Sequence, residues 1–145
     1  LTALTKLFLP SFIARGSGRI LNVSSIASLV PGPWQATYFA AKAYVTSLTL
    51  ALSEELRGTG VTATVILPGG MRTGFEAAAK LEGTGLAAQL TQSPDDVARR
   101  SYEAMLRGRR KLIAGTPLLQ RLLLRLLPFV PTEFVLRVVA RLHKR

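Results

Sequence analysis

Residues 19–70 read RILNVSSIASLVPGPWQATYFAAKAYVTSLTLALSEELRGTGVTATVILPGG, and this stretch decides the fold. RILNVSS, residues 19–25, has the short apolar core of a buried strand. Residues 26–35 contain Pro31, Gly32 and Pro33 and read as a loop. From Ala36 to Arg57 the chain is rich in Ala, Leu, Glu and Lys, with neither Pro nor Gly. A long helix is predicted there, stopped by Gly58 and Gly60. VTATVIL, residues 61–67, is a β-branched strand ended by Pro68-Gly69-Gly70.

The same alternation continues on both sides. Upstream, Leu4, Leu7, Phe8, Phe12 and Ile13 fall at helical spacing within residues 2–14, and Gly16-Ser17-Gly18 breaks the pattern. Downstream, residues 71–92 are less regular, with short helices expected around breaks at Gly83 and Gly85. Ser93-Pro94-Asp95-Asp96 then reads as a helix start: a capping hydroxyl, a proline at the first helical position and two carboxylates at the positive helix end. That helix is expected to run to about Arg107. RKLIA, residues 110–114, is a last short strand before Gly115, and two apolar helical stretches divided by Pro128 and Pro131 finish the chain. Strands alternating with helical connections imply a parallel sheet with right-handed crossovers. Three strands are few for such a sheet, and the first would keep one edge unpaired. The chain therefore reads as cut from something larger.

The 145 residues suit one domain with a real core. The absence of cysteine excludes disulfides and thiolate metal sites, and no metal site is expected. The N-terminal LTALTKLFLPSF lacks a positive n-region and a small-residue cleavage site, so it does not read as a signal peptide. No apolar run approaches the ~18 residues of a membrane span. The expectation is a soluble, cytoplasmic protein, or at most one associated with a membrane surface. Charge is unevenly placed. Residues 1–98 hold seven Lys/Arg and six Asp/Glu, whereas residues 99–145 hold twelve Lys/Arg and two Glu. The basicity belongs to the tail and not to the motifs.

Tyr38-Phe39-Ala40-Ala41-Lys42 sets a phenol and an amine at i and i+4, on one helix face. An ammonium one turn from a phenol favours the phenolate, which suits a general acid/base near neutral pH. Alone the pair is a weak signal, since an aromatic and a solvated lysine on a surface helix look the same. Two further features strengthen it. Ser25 ends the first strand of the decisive stretch, at the mouth of the sheet where α/β proteins bind ligands. Pro68-Gly69-Gly70-Met71-Arg72-Thr73 occupies the same end of the next strand, where glycines allow close backbone approach and a hydroxyl supplies a donor. Each has a purely structural reading, a capping serine or a strand-to-loop turn. Their coincidence at one end of the sheet argues for a site.

NVSS (22–25), YFAAK (38–42) and PGGMRT (68–73) resemble the short-chain dehydrogenase/reductase family, in its classical NAD(P)-dependent branch. The resemblance is firmest over residues 1–75 and covers the C-terminal portion of the family's pattern. It implies an α/β fold: the C-terminal half of a Rossmann-type doubly wound parallel sheet of about three strands, over residues 1–115. A basic, apolar helical tail follows at 116–145. It further implies an oxidoreductase that interconverts a carbonyl and an alcohol by hydride transfer, using NAD(P)(H) with a slight lean to NADP. Tyr38 would be the acid/base. Lys42 would lower the Tyr38 pKa and hydrogen-bond the nicotinamide ribose. Ser25 would hold the substrate oxygen, and Pro68, Gly69, Met71 and Thr73 would line the nicotinamide. The substrate would be a small molecule, and relatives commonly form homo-oligomers through the helix that carries the tyrosine. The family's TGxxxGxG loop and NAG segment do not occur in these residues, and its catalytic-site asparagine would fall just before Leu1. The chain alone is thus expected to bind NAD(P)H poorly and to be inactive. The competing reading is a non-catalytic remnant or interaction module.

LLQRLLLRLL (118–127) and EFVLRVVARL (133–142) are apolar around most of each helix, with Arg121, Arg125, Arg137, Arg141 and Arg145 as basic stripes. Such faces must be covered. Packing on the domain as a lid or subunit contact is one destination, and an interfacial helix pair on an anionic membrane is the other. Nucleic acid is not expected as a partner, because aromatic interleaving and a recognised motif are lacking. A hydrolase is disfavoured because the single histidine, His143, lies in the tail and there is no GxSxG. Trp34 and Phe75 flank the motifs and belong either to an apolar substrate pocket or to the core.

Overall fold

The computed structural model describes residues 1–71, 93–116 and 118–143. In chain order they form helix α1 (Thr2–Ala14), strand β1 (Gly18–Val23), a 3-10 turn (Ile26–Leu29), helix α2 (Ala36–Glu55) and strand β2 (Val61–Pro68). Helix α3 (Pro94–Leu106), strand β3 (Lys111–Ala114), helix α4 (Leu118–Leu126), a 3-10 turn (Leu127–Phe129) and helix α5 (Thr132–His143) follow. The expected short helices of residues 72–92 lie outside the described residues.

The three strands make one parallel sheet in the order β1-β2-β3. β1 pairs with β2 from Gly18↔Val61 to Val23↔Ile66, and β2 with β3 from Val65↔Lys111 to Pro68↔Ala114. β2 is central, and its β-branched VTATVILP run is buried along almost its whole length. β1 differs from the sequence expectation of a buried strand. Among the described residues it lies at a sheet edge, only Asn22 of its residues is buried, and Val23 is exposed.

Helices cover both faces. Leu52 and Leu56, at the end of α2 and just beyond it, pack with Val61 and Ala63, while Leu9, Phe12 and Ile20 close against them. α1 and α2 therefore share one face. On the other, α3 buries Val97, Ser101 and Ala104, and Gly108 just beyond α3 faces Thr62 of β2. Pro94, Asp95 and Asp96 fill the first turn of α3 as the sequence suggests. The hydroxyl of Ser93 makes no capping bond, and Asp96 pairs with Arg99 at 2.9 Å instead.

The turn between α2 and β2 depends on glycine. Gly60 has φ +77°, and a Cβ there would collide with the carbonyl oxygen of Gly16 at the α1–β1 turn. Two reversals at the same end of the sheet are thus in backbone contact. Glu54 braces that end from outside, accepting from Arg57 at 2.8 Å and pairing with Arg110 at 2.9 Å, just before β3. These arginines hold the Glu54 carboxyl below its ordinary pKa, the hydrogen bond from Arg57 contributing most.

Candidate active site

The seam between β1 and α2 changes character along its length. At one end Ile20 meets the Leu52–Leu56 cluster, which is apolar. Towards the C-terminal end of β1, contacts become directional hydrogen bonds. Asn22 Nδ2 donates to Thr49 Oγ1 at 2.9 Å, and the Thr49 hydroxyl donates back to Val45 O at 2.7 Å. Ser24 Oγ donates to the Lys42 carbonyl oxygen at 2.8 Å and lies 2.7 Å from Thr46 Oγ1. Thr46 in turn reaches Ser28 Oγ at 2.9 Å. Asn22, Ser24, Thr46 and Thr49 are all buried, so each hydroxyl or amide needs the partner it has.

This seam was legible in principle. Lys42, Thr46 and Thr49 stand at i, i+4 and i+7, while Asn22 and Ser24 share one face of the strand. Reading for apolar periodicity alone passes over a polar stripe of this kind.

Lys42 lies at the polar end of the seam. Its Nζ donates to Val23 O at 3.2 Å, bridging α2 to the last residue of β1. It also stands 5.7 Å from the centre of the Tyr38 ring, one turn earlier on the same helix face. The half-buried Lys42 ammonium is partly stripped of water, which lowers its pKa below 10.5. The Tyr38 ring in turn packs edge-on against Phe39, 5.9 Å between centroids. Phe39 is buried and fills the place a side chain on Gly32 would need. The loop before α2 and the tyrosine-bearing turn are therefore fixed together.

Ser25 does not end the strand; it sits two residues past it, in an extended conformation. Its Oγ accepts from the Ala27 N–H at 3.1 Å and caps the 3-10 turn, the structural role the sequence left open. A hydroxyl carries one proton and two lone pairs, so that bond leaves the proton to be directed elsewhere. The sheet persists to this point, since the Ser24 N–H donates to Ile66 O at 2.8 Å. Pro68 and Gly69 leave β2 at the same end. The need for glycine at 69 comes from inside the fold: a Cβ would approach Gly115 O to 2.9 Å. Met71 is half-buried, whereas Thr73 and Phe75 lie outside the described residues.

Tyr38 and Lys42 are thus adjacent on α2, and Lys42 is tied to the strand end that leads into Ser25. The loop between them holds a further feature absent from the sequence reading. Trp34 has φ +69° and is 76% exposed. A bulky residue in left-handed backbone is uncommon and costs roughly 1–2 kcal/mol.

A parallel three-stranded sheet wound by helices on both faces, with polar side chains gathered at its C-terminal edge, defines an α/β protein of Rossmann type. A family model for short chain dehydrogenases matches residues 1–82, and the chain belongs to that family. Among curated proteins it is 38% identical over 103 residues to the ketoacyl reductase HetN of Nostoc, covering 70% of this chain and 35% of that one. Among solved structures it overlays a 7beta-hydroxysteroid dehydrogenase with TM-score 0.75 at 24% identity, over 93% of this chain and 52% of that one. A short-chain dehydrogenase of Sphingobium yanoikuyae, solved with NADPH, gives TM-score 0.67 at 26% identity, over 83% and 48%. One from Burkholderia phymatum, solved with NAD, gives 0.69 at 23%, over 84% and 51%. The chain thus spans between about a third and a half of the length of these proteins.

Proposed function

We propose that these residues form the catalytic side of an NAD(P)-dependent oxidoreductase that interconverts a carbonyl and an alcohol. The observation that carries the reading is the placement of Lys42, beside the Tyr38 ring and bonded to Val23 O at the sheet's C-terminal edge. When bound, the nicotinamide supplies the hydride chemistry. The residues present fit such a group. One ammonium proton of Lys42 is taken by Val23 O, and an ammonium carries three, so further donors can face a ribose hydroxyl. Pro68, Gly69, Met71 and Thr73 would line the nicotinamide, with the contacts at Met71 and Gly69 made by backbone.

In this reading Tyr38 gives a proton to the substrate oxygen in reduction and takes it back in oxidation. Lys42 holds positive charge next to the ring that carries this hydroxyl. Ser25 directs its remaining proton at the substrate oxygen, with its own orientation fixed by Ala27. NADP is favoured slightly over NAD on the family resemblance alone, since the solved neighbours include one with NADPH and one with NAD. A glycine-rich loop for the pyrophosphate is not among the 145 residues, so cofactor binding would need one supplied by another segment. The exposed outer face of α2, with Ala40, Ala43, Tyr44 and Ser47, would let a second copy associate.

The test uses the complete reading frame that encodes these residues, assayed for NADPH and NADH oxidation with a panel of small aldehydes and ketones. Tyr38→Phe should lower kcat by about 10²–10⁴-fold, the range a positioned acid/base supplies. Ser25→Ala should lower it with the fold intact. No turnover with any carbonyl would leave a non-catalytic interaction module as the better description, and full activity in Tyr38→Phe would remove Tyr38 as the acid/base.

A further inference from the structure

The two helices that end the chain are oriented against the usual rule. A surface helix of a globular protein turns its apolar stripe inward and its charges outward. On α4, Leu119, Leu122, Leu123 and Leu126 stand at i, i+3, i+4 and i+7 and so share one face. All four are exposed, at 70, 48, 57 and 55%. The 3-10 turn that follows leaves Phe129 84% exposed. On α5, Phe134, Arg137, Val138 and Arg141 share a face by the same spacing, and all four are exposed. Val135, on another side of α5, is buried.

The exposed residues of both helices therefore mix leucine and phenylalanine with arginine. Arg125, Arg137 and Arg141 are exposed among the apolar groups, and Glu133 is the only acid from residue 118 to the end. Glu133 does not neutralise Arg137 through its carboxylate: the guanidinium Nε donates to the Glu133 carbonyl oxygen at 3.3 Å. Among the described residues no carboxylate pairs with Arg125, Arg137 or Arg141.

We propose that α4 and α5 are an interfacial helix pair that seats this protein on an anionic phospholipid surface. Apolar side chains would enter the acyl boundary while arginines stay at the level of the phosphates, which guanidinium groups bind in pairs of hydrogen bonds. The helices lie on the bilayer and do not cross it. They have 9 and 12 residues, and among the described residues no helix is long and apolar enough to span. A second copy of the chain is a poorer occupant. A twofold contact through this face would set arginines against arginines, with one Glu133 per copy to offset them. The surface shares no residue with the candidate active site, so it stands or falls independently of the catalytic reading.

The full chain is floated with vesicles of phosphatidylcholine alone and with vesicles containing phosphatidylserine. Recovery should be more than tenfold higher with the anionic vesicles and should fall with added salt. Arg137→Gln with Arg141→Gln should weaken that binding by roughly 25-fold, about fivefold for each charge near the surface. Leu123→Ala with Phe129→Ala should weaken it with the salt dependence unchanged. Both pairs are exposed, and a matching circular dichroism spectrum and melting curve would show that the fold is kept. Equal recovery from both vesicles, or none from either, would overturn the proposal. So would a dimer in size-exclusion chromatography that Phe129→Ala dissolves, which would assign the face to a second copy. Tight binding to an acidic protein domain with no vesicle binding would overturn it as well.

Discussion

Ser24 and Lys42 are joined through the main chain: the Ser24 hydroxyl donates to the Lys42 carbonyl oxygen at 2.8 Å, while the Lys42 ammonium reaches back to Val23 O. The strand end and the tyrosine-bearing helix are thereby held by two bonds running in opposite senses. With Thr46 and Ser28 added, the hydroxyl chain fixes how far α2 can turn about its own axis. An apolar seam would tolerate a small rotation, whereas directional bonds do not.

Thr46→Val tests that chain directly. It keeps shape but removes the oxygen that both Ser24 and Ser28 use. The loss in unfolding free energy should be about 0.5–1.5 kcal/mol, the net worth of a hydrogen bond, because Ser24 keeps the Lys42 carbonyl as a partner. Urea unfolding of the variant beside the parent measures it, and a neutral result would mean that the seam is not a source of stability.

Lys42 should titrate below 10.5, because burial penalises its charged form. The sign follows from linkage. With the folded-state pKa depressed, the unfolded chain binds more protons between the two values, so stability rises with pH through that window. The penalty is fully present below the folded-state value and fades as pH approaches 10.5. The parent should therefore gain stability relative to Lys42→Met as pH rises through that window, whatever the offset between them at neutral pH. Melting curves at stepped pH read this difference, and the Lys42 ε-carbon resonance gives the midpoint itself.

Two glycines in contact should respond unequally to alanine. Gly16 and Gly60 both have positive φ, at +67° and +77°. A Cβ at Gly16 meets nothing within 4 Å, so Gly16→Ala should cost only the backbone strain, about 1 kcal/mol. Gly60→Ala adds a collision with the Gly16 carbonyl and should cost about 3 kcal/mol or more. Chemical denaturation of the two variants side by side decides the point.

Trp34→Gly should stabilise the chain by about 1 kcal/mol, since the left-handed backbone is relieved and an exposed indole gives up little burial. If the indole contacts substrate, the same change should raise KM for bulky apolar carbonyls in the complete protein. A rise in melting temperature with KM unchanged would assign the conformation to the loop alone.

The sequence was informative where local chemistry and tertiary structure agree. The Pro- and Gly-free run after Ala36 becomes α2, and the β-branched run after Gly60 becomes the central strand. It was less informative where a neighbour decides. The strand count anticipates the unpaired edge of β1, but an apolar strand core does not say how far it is covered, and only Asn22 of β1 is buried. Ser25 reads as a strand terminus, but chain direction past Val23 is set by the 3-10 turn that the serine itself caps. Periodicity identifies the apolar face of α4 but cannot say which way the helix points, and it points outward. The left-handed backbone at Trp34 leaves no trace in residue type.

The edge position of β1 has a consequence for how the sheet can grow. Among the described residues β1 pairs only with β2, so its outer side is where a further strand of the same protein would add, beside the exposed Val23. Amide exchange along β1 should then be slower in the complete protein than in these residues alone.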